Sequence, residues 1–321
     1  MSVSRFLIHR LLQAIPLLFG LVTFVFLLTR VLPGDPTTVF LSPLIPASVA
    51  DQLREQFGLN RGLFEQYISW LGAVVHGDLG YSFTYHTPVA DVLASVVPNT
   101  VLLGAAALFL EVVLALFLVS VAVRRPDSAF DRLLSHFTLI VYAIPSFWIG
   151  IILLSVFSYG LGMFPSSGIH SAGESGEGNQ FDLFAHMVLP ALTVAIPGAA
   201  GLARYLRTSI GGMLHQEFVI AARSMGLSGQ TIFRSYVLPN SLGPMVSLIG
   251  IEIGVLLTGV IVTETLFAWP GMGRLTVMAI LARDYPLILG ATIVAGVAVI
   301  LGNLLADIVN AVLDPRVRLT A

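Results

Sequence analysis

The sequence predicts an all-α, polytopic membrane protein with six transmembrane helices and a folded extracytoplasmic cap between the first and second spans. Three observations carry this expectation. Apolar residues make up 56% of the 321 and charged residues 11%, where ordinary soluble sequence is roughly a quarter charged; mean hydropathy is +0.90. Six separate stretches supply the run of about 20 apolar residues that a helix needs to cross the hydrocarbon core. Arginines gather in alternate connecting segments, the pattern that sets orientation in a bilayer.

The same composition closes off other classes. A formal net charge of −2 gives no electrostatic footprint for nucleic acid. Cysteine is absent, which removes disulfides and thiolate metal sites. All 16 fixed positive side chains are arginine. The start, MSVSRFLIHRLLQ, is basic like a signal peptide. Its apolar run continues to Leu28, too long for a cleaved segment, and no A-x-A site follows, so it reads as a retained first span.

The spans fall near 11–28, 101–123, 134–161, 187–206, 242–267 and 287–313. Pro16, Pro145, Pro190 and Pro197 lie inside them, as neighbouring helices in a bundle permit. The small-residue stretch GAAGLA at 198–203 suits close helix packing. Arg5 and Arg10 precede the first span, and Arg124, Arg125 and Arg132 separate the second and third. Arg204, Arg207, Arg223 and Arg234 separate the fourth and fifth, while Arg316 and Arg318 follow the sixth. Both termini are therefore expected in the cytoplasm, with Arg274 and Arg283 as an outnumbered exception. The resulting organisation is an N-terminal helix at 1–31, an outer cap at 32–97, a five-helix core at 98–313 and a cytoplasmic tail at 314–321.

Three outer segments follow. The largest carries LPGDP, helical stretches near 47–57 and 63–75, and ends in HGDLGYSF. The second, PSSGIHSAGESGEGNQFD, is Gly/Ser-rich and acidic. The third, AWPGMGRLTVMAILARDYP, reads as a turn and a short amphipathic helix. No internal repeat is visible, which argues against an inverted-repeat transporter.

The inner segment 209–241 is the most informative. Residues 217–225 are good helix formers, and Gly226 stands where a left-handed helix stop is wanted. Ser228 is placed to cap a second short helix running to about Val237, and Pro239 prevents its simple continuation. Such a hairpin sets Arg223, Ser224, Met225 and Gly226 at an exposed corner. It is stiff and partly apolar, as a plug for a partner's groove should be.

This loop resembles the cytoplasmic signature of inner-membrane permeases of ATP-binding-cassette importers: Glu-Ala-Ala, three residues, Gly, nine residues, a hydrophobic residue, any residue, Leu-Pro. Here it reads Ile220-Ala221-Ala222, Gly226, Tyr236, Leu238-Pro239, with every spacing kept. Ile220 replaces the signature Glu, while Glu217 matches the acidic position of the peptide-transporter branch. LPGDP, GDLGYS, FAWPGMGRL, ARDYPL and LDPR follow in family order. Together they resemble the first permease subunit of the dipeptide/oligopeptide/nickel family.

The resemblance implies a type I importer with the MetI-like permease fold in a bacterial inner membrane. Its expected partners are a homologous second permease, two cytoplasmic ATPases that bind the ATP and Mg, and an extracytoplasmic substrate-binding protein. Glu217, Ala221, Ala222, Arg223, Ser224, Met225, Gly226, Leu238 and Pro239 would then form the ATPase-coupling element. Peptides are the implied cargo, with nickel chelates and oligosaccharides carried by relatives. The chain contains no G-x-x-x-x-G-K-[ST] loop, so no ATPase site or cofactor of its own is expected.

Intramembrane acids are costly and default to functional readings. Glu111, Glu252 and Asn303 are candidates for a translocation path; polar packing against a partner helix is the plain alternative, and the one favoured for Asp307. Glu264 is expected to face water or the binding protein. Asp35, Asp78, Trp269 and Arg274 are candidates for an outer gate or docking surface, with Trp269 more simply a membrane-interface anchor. The seven histidines show no metal-ligand spacing. A stand-alone secondary transporter running on Glu111 or Glu252 remains the rival from another class, and an intramembrane enzyme lacks a catalytic pair.

Overall fold

The computed structural model describes residues 3–31, 60–122, 128–171, 179–257 and 261–313. LPGDP with Asp35, the stretch near 47–57 and the tail at 314–321 lie outside the described residues. The described chain is helical, with a single isolated bridge between Tyr81 and Pro88.

Helix α1 (Val3–Val31) is followed by the short α2 (Leu63–Val75), the stretch expected to be helical in the outer cap. No residue of α2 is buried, so within the described residues it has no core of its own. It is held against α1 by an aromatic cluster. Phe26 stacks on Trp70 at 5.3 Å and meets Tyr67 edge-on at 5.2 Å, while the Tyr67 hydroxyl lies 2.7 Å from Thr23 Oγ1. Such ring pairs favour offset or edge contacts because the face and edge of an aromatic carry opposite partial charge.

Helix α3 (Val89–Ala122) carries the second span and begins well inside the segment read as outer cap. The third span was expected as one helix at 134–161. It is instead two, α4 (Ala129–Ala143) and α5 (Ser146–Leu153), the latter running into a wide π-type turn at Leu154–Gly160. The two halves are bent by 98°. The cause is local: a residue before proline is driven from helical to extended backbone, and Ile144, before Pro145, has φ −76° and ψ 128°.

Helix α6 (Gln180–Leu214) is the central post, 35 residues long, or about 52 Å at 1.5 Å per residue. Pro190 and Pro197 sit within it. Ala199 and Ala203 are almost fully buried in one core with Ala115 and Val119 of α3. Small residues at this seam let the backbones approach closely, which is how helices associate when lipid gives no hydrophobic drive.

Two short helices follow, α7 (Glu217–Ser224) and α8 (Gly229–Ile232), then a second π-type turn at Phe233–Val237. This turn leads directly into α9 (Leu238–Leu257). Pro239 was expected to stop the second short helix. It sits instead in the first turn of α9, and the Leu238 N–H reaches back to Phe233 O across the widened turn. The chain ends with α10 (Ile261–Leu266), α11 (Met272–Ala282) and α12 (Tyr285–Leu313). α12 packs along α9 and α1, and Gly296 lets Leu18 of α1 approach so closely that a Cβ there would lie 2.8 Å from it. Among the described residues four helices are long and apolar enough to cross a membrane, and the bent pair makes a fifth if it is one span.

Candidate functional site

The α7–α8 hairpin is built as a rigid corner. Gly226 has φ +79°, a region an L-residue enters only at a cost. Its N–H donates to Arg223 O at 3.0 Å and Leu227 N–H donates to Ala222 O at 3.3 Å. This pair of reverse bonds closes the last turn of α7 in a Schellman motif. Ser228 Oγ then accepts from Thr231 N–H at 3.2 Å and caps α8.

The hairpin's inner side belongs to the bundle. Val219, Ala222, Ile232 and Val237 are 0–2% exposed and share one apolar core with Leu206 and Ile210 of α6 and Met245 of α9. Its outer side is the opposite: Ile220 is 57% and Met225 71% exposed, with Phe218, Arg223 and Ser224 beside them. Glu217 and Ala221 are also exposed, Leu238 is half-buried and Pro239 exposed. Of the nine residues expected to couple, Ala222 alone points into the core. The shared core packs the hairpin directly against α6 and α9 at the close density of a protein interior.

At the other end of the bundle, sequence motifs far apart meet. Glu264 was expected to face water or the binding protein; it is fully buried. Its carboxyl accepts from Thr100 Oγ1 at 2.8 Å and from Arg274 N–H at 3.0 Å, while Thr100 Oγ1 accepts from Met272 N–H at 2.7 Å. Gly271 gives it room: a Cβ there would lie 2.2 Å from the carboxyl oxygen. Trp269, read as an interface anchor, is likewise fully enclosed, its indole N–H donating to Asn99 O at 3.0 Å. Asn99 returns a bond to Pro270 O, and the Arg274 guanidinium donates to Ala268 O at 2.6 Å.

The GDLGYS and ARDYPL motifs form a second knot. Asp284 is buried and accepts from Ser82 Oγ at 2.6 Å and Thr84 N–H at 2.9 Å. Its other oxygen caps α12 through Leu287 N–H at 3.3 Å. Asp78 is exposed and turns the loop by accepting from Gly80 N–H at 2.8 Å. Neither Glu264's role nor Asp284's follows from the spacing of the motifs. The helix-cap signal was present, since an Asp two residues before a proline at a helix start is an N-cap pattern.

Glu111 of α3 and Glu252 of α9 line one open cleft of about 420 Å³ with Tyr142, Arg204, Tyr205 and Thr208, the last four of which are exposed. Asn303 is exposed on α12 and does not line it. Sequence reasoning missed Asp131, which is 2% exposed and takes a bidentate pair from Arg207 at 2.8 and 2.6 Å, tying α4 to α6.

A family model described as binding-protein-dependent transport system inner membrane component matches residues 111–319, and its N-terminal companion matches residues 3–104. The chain belongs to this family of binding-protein-dependent transport system inner membrane components. Among its relatives, the oligopeptide transport system permease protein AppB of Bacillus subtilis (strain 168) is 36% identical, covering 98% of this chain and 99% of that one. The dipeptide transport system permease protein DppB of Escherichia coli (strain K12) is 31% identical, covering 98% of each. A solved inward-facing MetNI methionine ABC transporter superposes with a TM-score of 0.52 at 18% identity, covering 70% of this chain and 96% of that one. That likeness extends to the fold.

Proposed function

We propose that this chain is the first permease subunit of an ATP-driven importer of dipeptides and oligopeptides. It crosses the inner membrane six times, with both termini in the cytoplasm. A second, homologous permease completes the path, an extracytoplasmic binding protein delivers the peptide, and two cytoplasmic ATPases bind and hydrolyse the ATP. The α7–α8 hairpin is the coupling element. Its exposed ridge of Phe218, Ile220, Arg223 and Met225 enters a cleft of one ATPase, and its buried face transmits the push to α6 and α9.

The observation that carries this reading is the two-sidedness of the hairpin: fused to the bundle core within, largely apolar and exposed without. A connecting turn needs neither property. Ile220 in place of the family's Glu makes the ridge contact apolar, so affinity there comes from burial rather than an ion pair. At the outer end, the knots around Glu264 and Asp284, with the Asp78 turn, hold the loops on which a binding protein would rest.

The test is reconstitution with the second permease, the ATPases and the binding protein in proteoliposomes. Labelled tripeptide enters only with ATP, and Gly226→Asp releases the ATPases from the membrane subunits. Uptake by this chain alone, without ATP and abolished by an uncoupler, would establish the secondary-transporter reading instead.

A further inference from the structure

The 420 Å³ cleft falls within the roughly 300–1,000 Å³ of small-molecule sites, and Glu111, Glu252 and Arg204 put three charged groups in its lining. Glu111 is 3% exposed, yet its carboxyl has no hydrogen-bond partner among the described residues. It is aimed at α6 where Gly198 leaves space; a Cβ there would lie 2.6 Å from the carboxyl carbon. Gly201, one turn on, makes the same room for the Tyr142 ring at 2.7 Å. Glu252 lines the cavity from α9. Two acids thus share one cleft, and a buried carboxylate such as Glu111 is costly unless a cation visits.

The remaining charged residue of the lining is Arg204. Its guanidinium lies 6.0 Å from the centre of the Tyr142 ring and pairs with no carboxylate among the described residues. Arg204 is six residues beyond Gly198 on α6, about 9 Å along the helix axis. An extended peptide advances about 3.4 Å per residue, so the two ends of a dipeptide or tripeptide are separated by a similar length.

From this arrangement we infer that the cavity is a transit site for the charged termini of a short peptide, its ammonium held between Glu111 and Glu252 and its carboxylate by Arg204. The inference rests on the importer reading and deepens it. Recognition falls on the two termini, which every short peptide shares, and leaves the side chains facing Leu202, Leu248 and Tyr205 largely unread. Such a site favours short, free-ended peptides over blocked ones irrespective of sequence.

The chain has no cysteine, so Thr208→Cys and, separately, Tyr205→Cys place one thiol of this subunit at the cavity. In the assembled transporter in nanodiscs, a cationic methanethiosulfonate is expected to modify either thiol at least tenfold faster than an anionic one, and Glu252→Gln narrows that ratio. Trialanine at millimolar concentration slows modification fivefold or more, whereas N-acetyl-trialanine amide does not. Equal protection by the two peptides, or none by either, overturns the proposal. In parallel, Glu111→Gln lowers ATP-dependent trialanine uptake at least tenfold while the purified complex keeps its full set of subunits; unchanged uptake also overturns it. Failure of the importer reading registers separately, as absence of ATP-dependent uptake by the unsubstituted complex, whereas protection of the thiols is read without transport.

Discussion

Ser82 donates a 2.6 Å hydrogen bond to Asp284, a residue 202 positions later, and both side chains are fully buried. That bond joins the loop leading into α3 to the cap of α12. Asp284→Ala strands the Ser82 hydroxyl and the Thr84 N–H and uncaps the helix, so an expected loss of about 2–3 kcal/mol follows from unsatisfied buried groups. Ser82→Ala leaves the Thr84 bond and the cap in place and is expected to cost about 1 kcal/mol. Thermal unfolding of the purified protein in detergent ranks the two; equal effects would show that the knot is not centred on Asp284.

The cluster around Glu264 is sensitive to volume. Gly271→Ala puts a methyl 2.2 Å from a carboxyl oxygen that is fully enclosed, and overpacking of this kind typically costs about 1–3 kcal/mol. Gly229→Ala, with nothing within 4 Å of the added carbon, is the control and is expected to leave the unfolding temperature unchanged or raised. A smaller drop for Gly271→Ala than for Gly229→Ala would contradict the close packing of Glu264.

Gly226 is needed for its backbone angle rather than for space, since no atom lies within 4 Å of an added Cβ. Gly226→Ala is expected to cost about 1–2 kcal/mol in the left-handed region. The loss should be local. Hydrogen exchange of the Leu227 amide, which bonds Ala222 O, accelerates by roughly tenfold or more, as 1.4 kcal/mol corresponds to a factor of ten, while amides of α6 are unaffected. Acceleration spread over the whole bundle would argue against a purely local role for this residue.

Asp131 and Arg207 are joined by two parallel bonds with the carboxylate 2% exposed. Arg207→Lys keeps the charge and loses the planar fork. Asp131→Asn is expected to cost about 2 kcal/mol, the scale of hydrogen bonds to charged groups. The double variant is expected to be less destabilised than the sum of the singles. Strict additivity in that cycle would remove the pair as a link between α4 and α6.

Local chemistry was legible from residue order. The helix at 63–75, the amphipathic helix of the last outer segment, the Gly226 stop and the Ser228 cap all follow from the neighbours of each residue in the chain, and each stands where the order of residues places it. Pro145 was visible too, but whether a proline is absorbed or bends a span depends on what packs around it. Here the chain turns by 98°, while Pro190 and Pro197 remain inside an unbroken α6.

By itself the sequence determined the solvent of this protein, its helical class and the shape of the corner at Gly226, because lipid solubility, helix periodicity and turn chemistry are properties of composition and of residues a few positions apart. Tertiary structure decided which polar groups are enclosed and with whom. Glu264 meets Thr100, Asp284 meets Ser82, and Glu111 shares a cavity with Glu252 and Arg204. Each depends on helices distant in sequence converging, and the burial of a charged side chain is set by what covers it, which its neighbours in the chain do not encode.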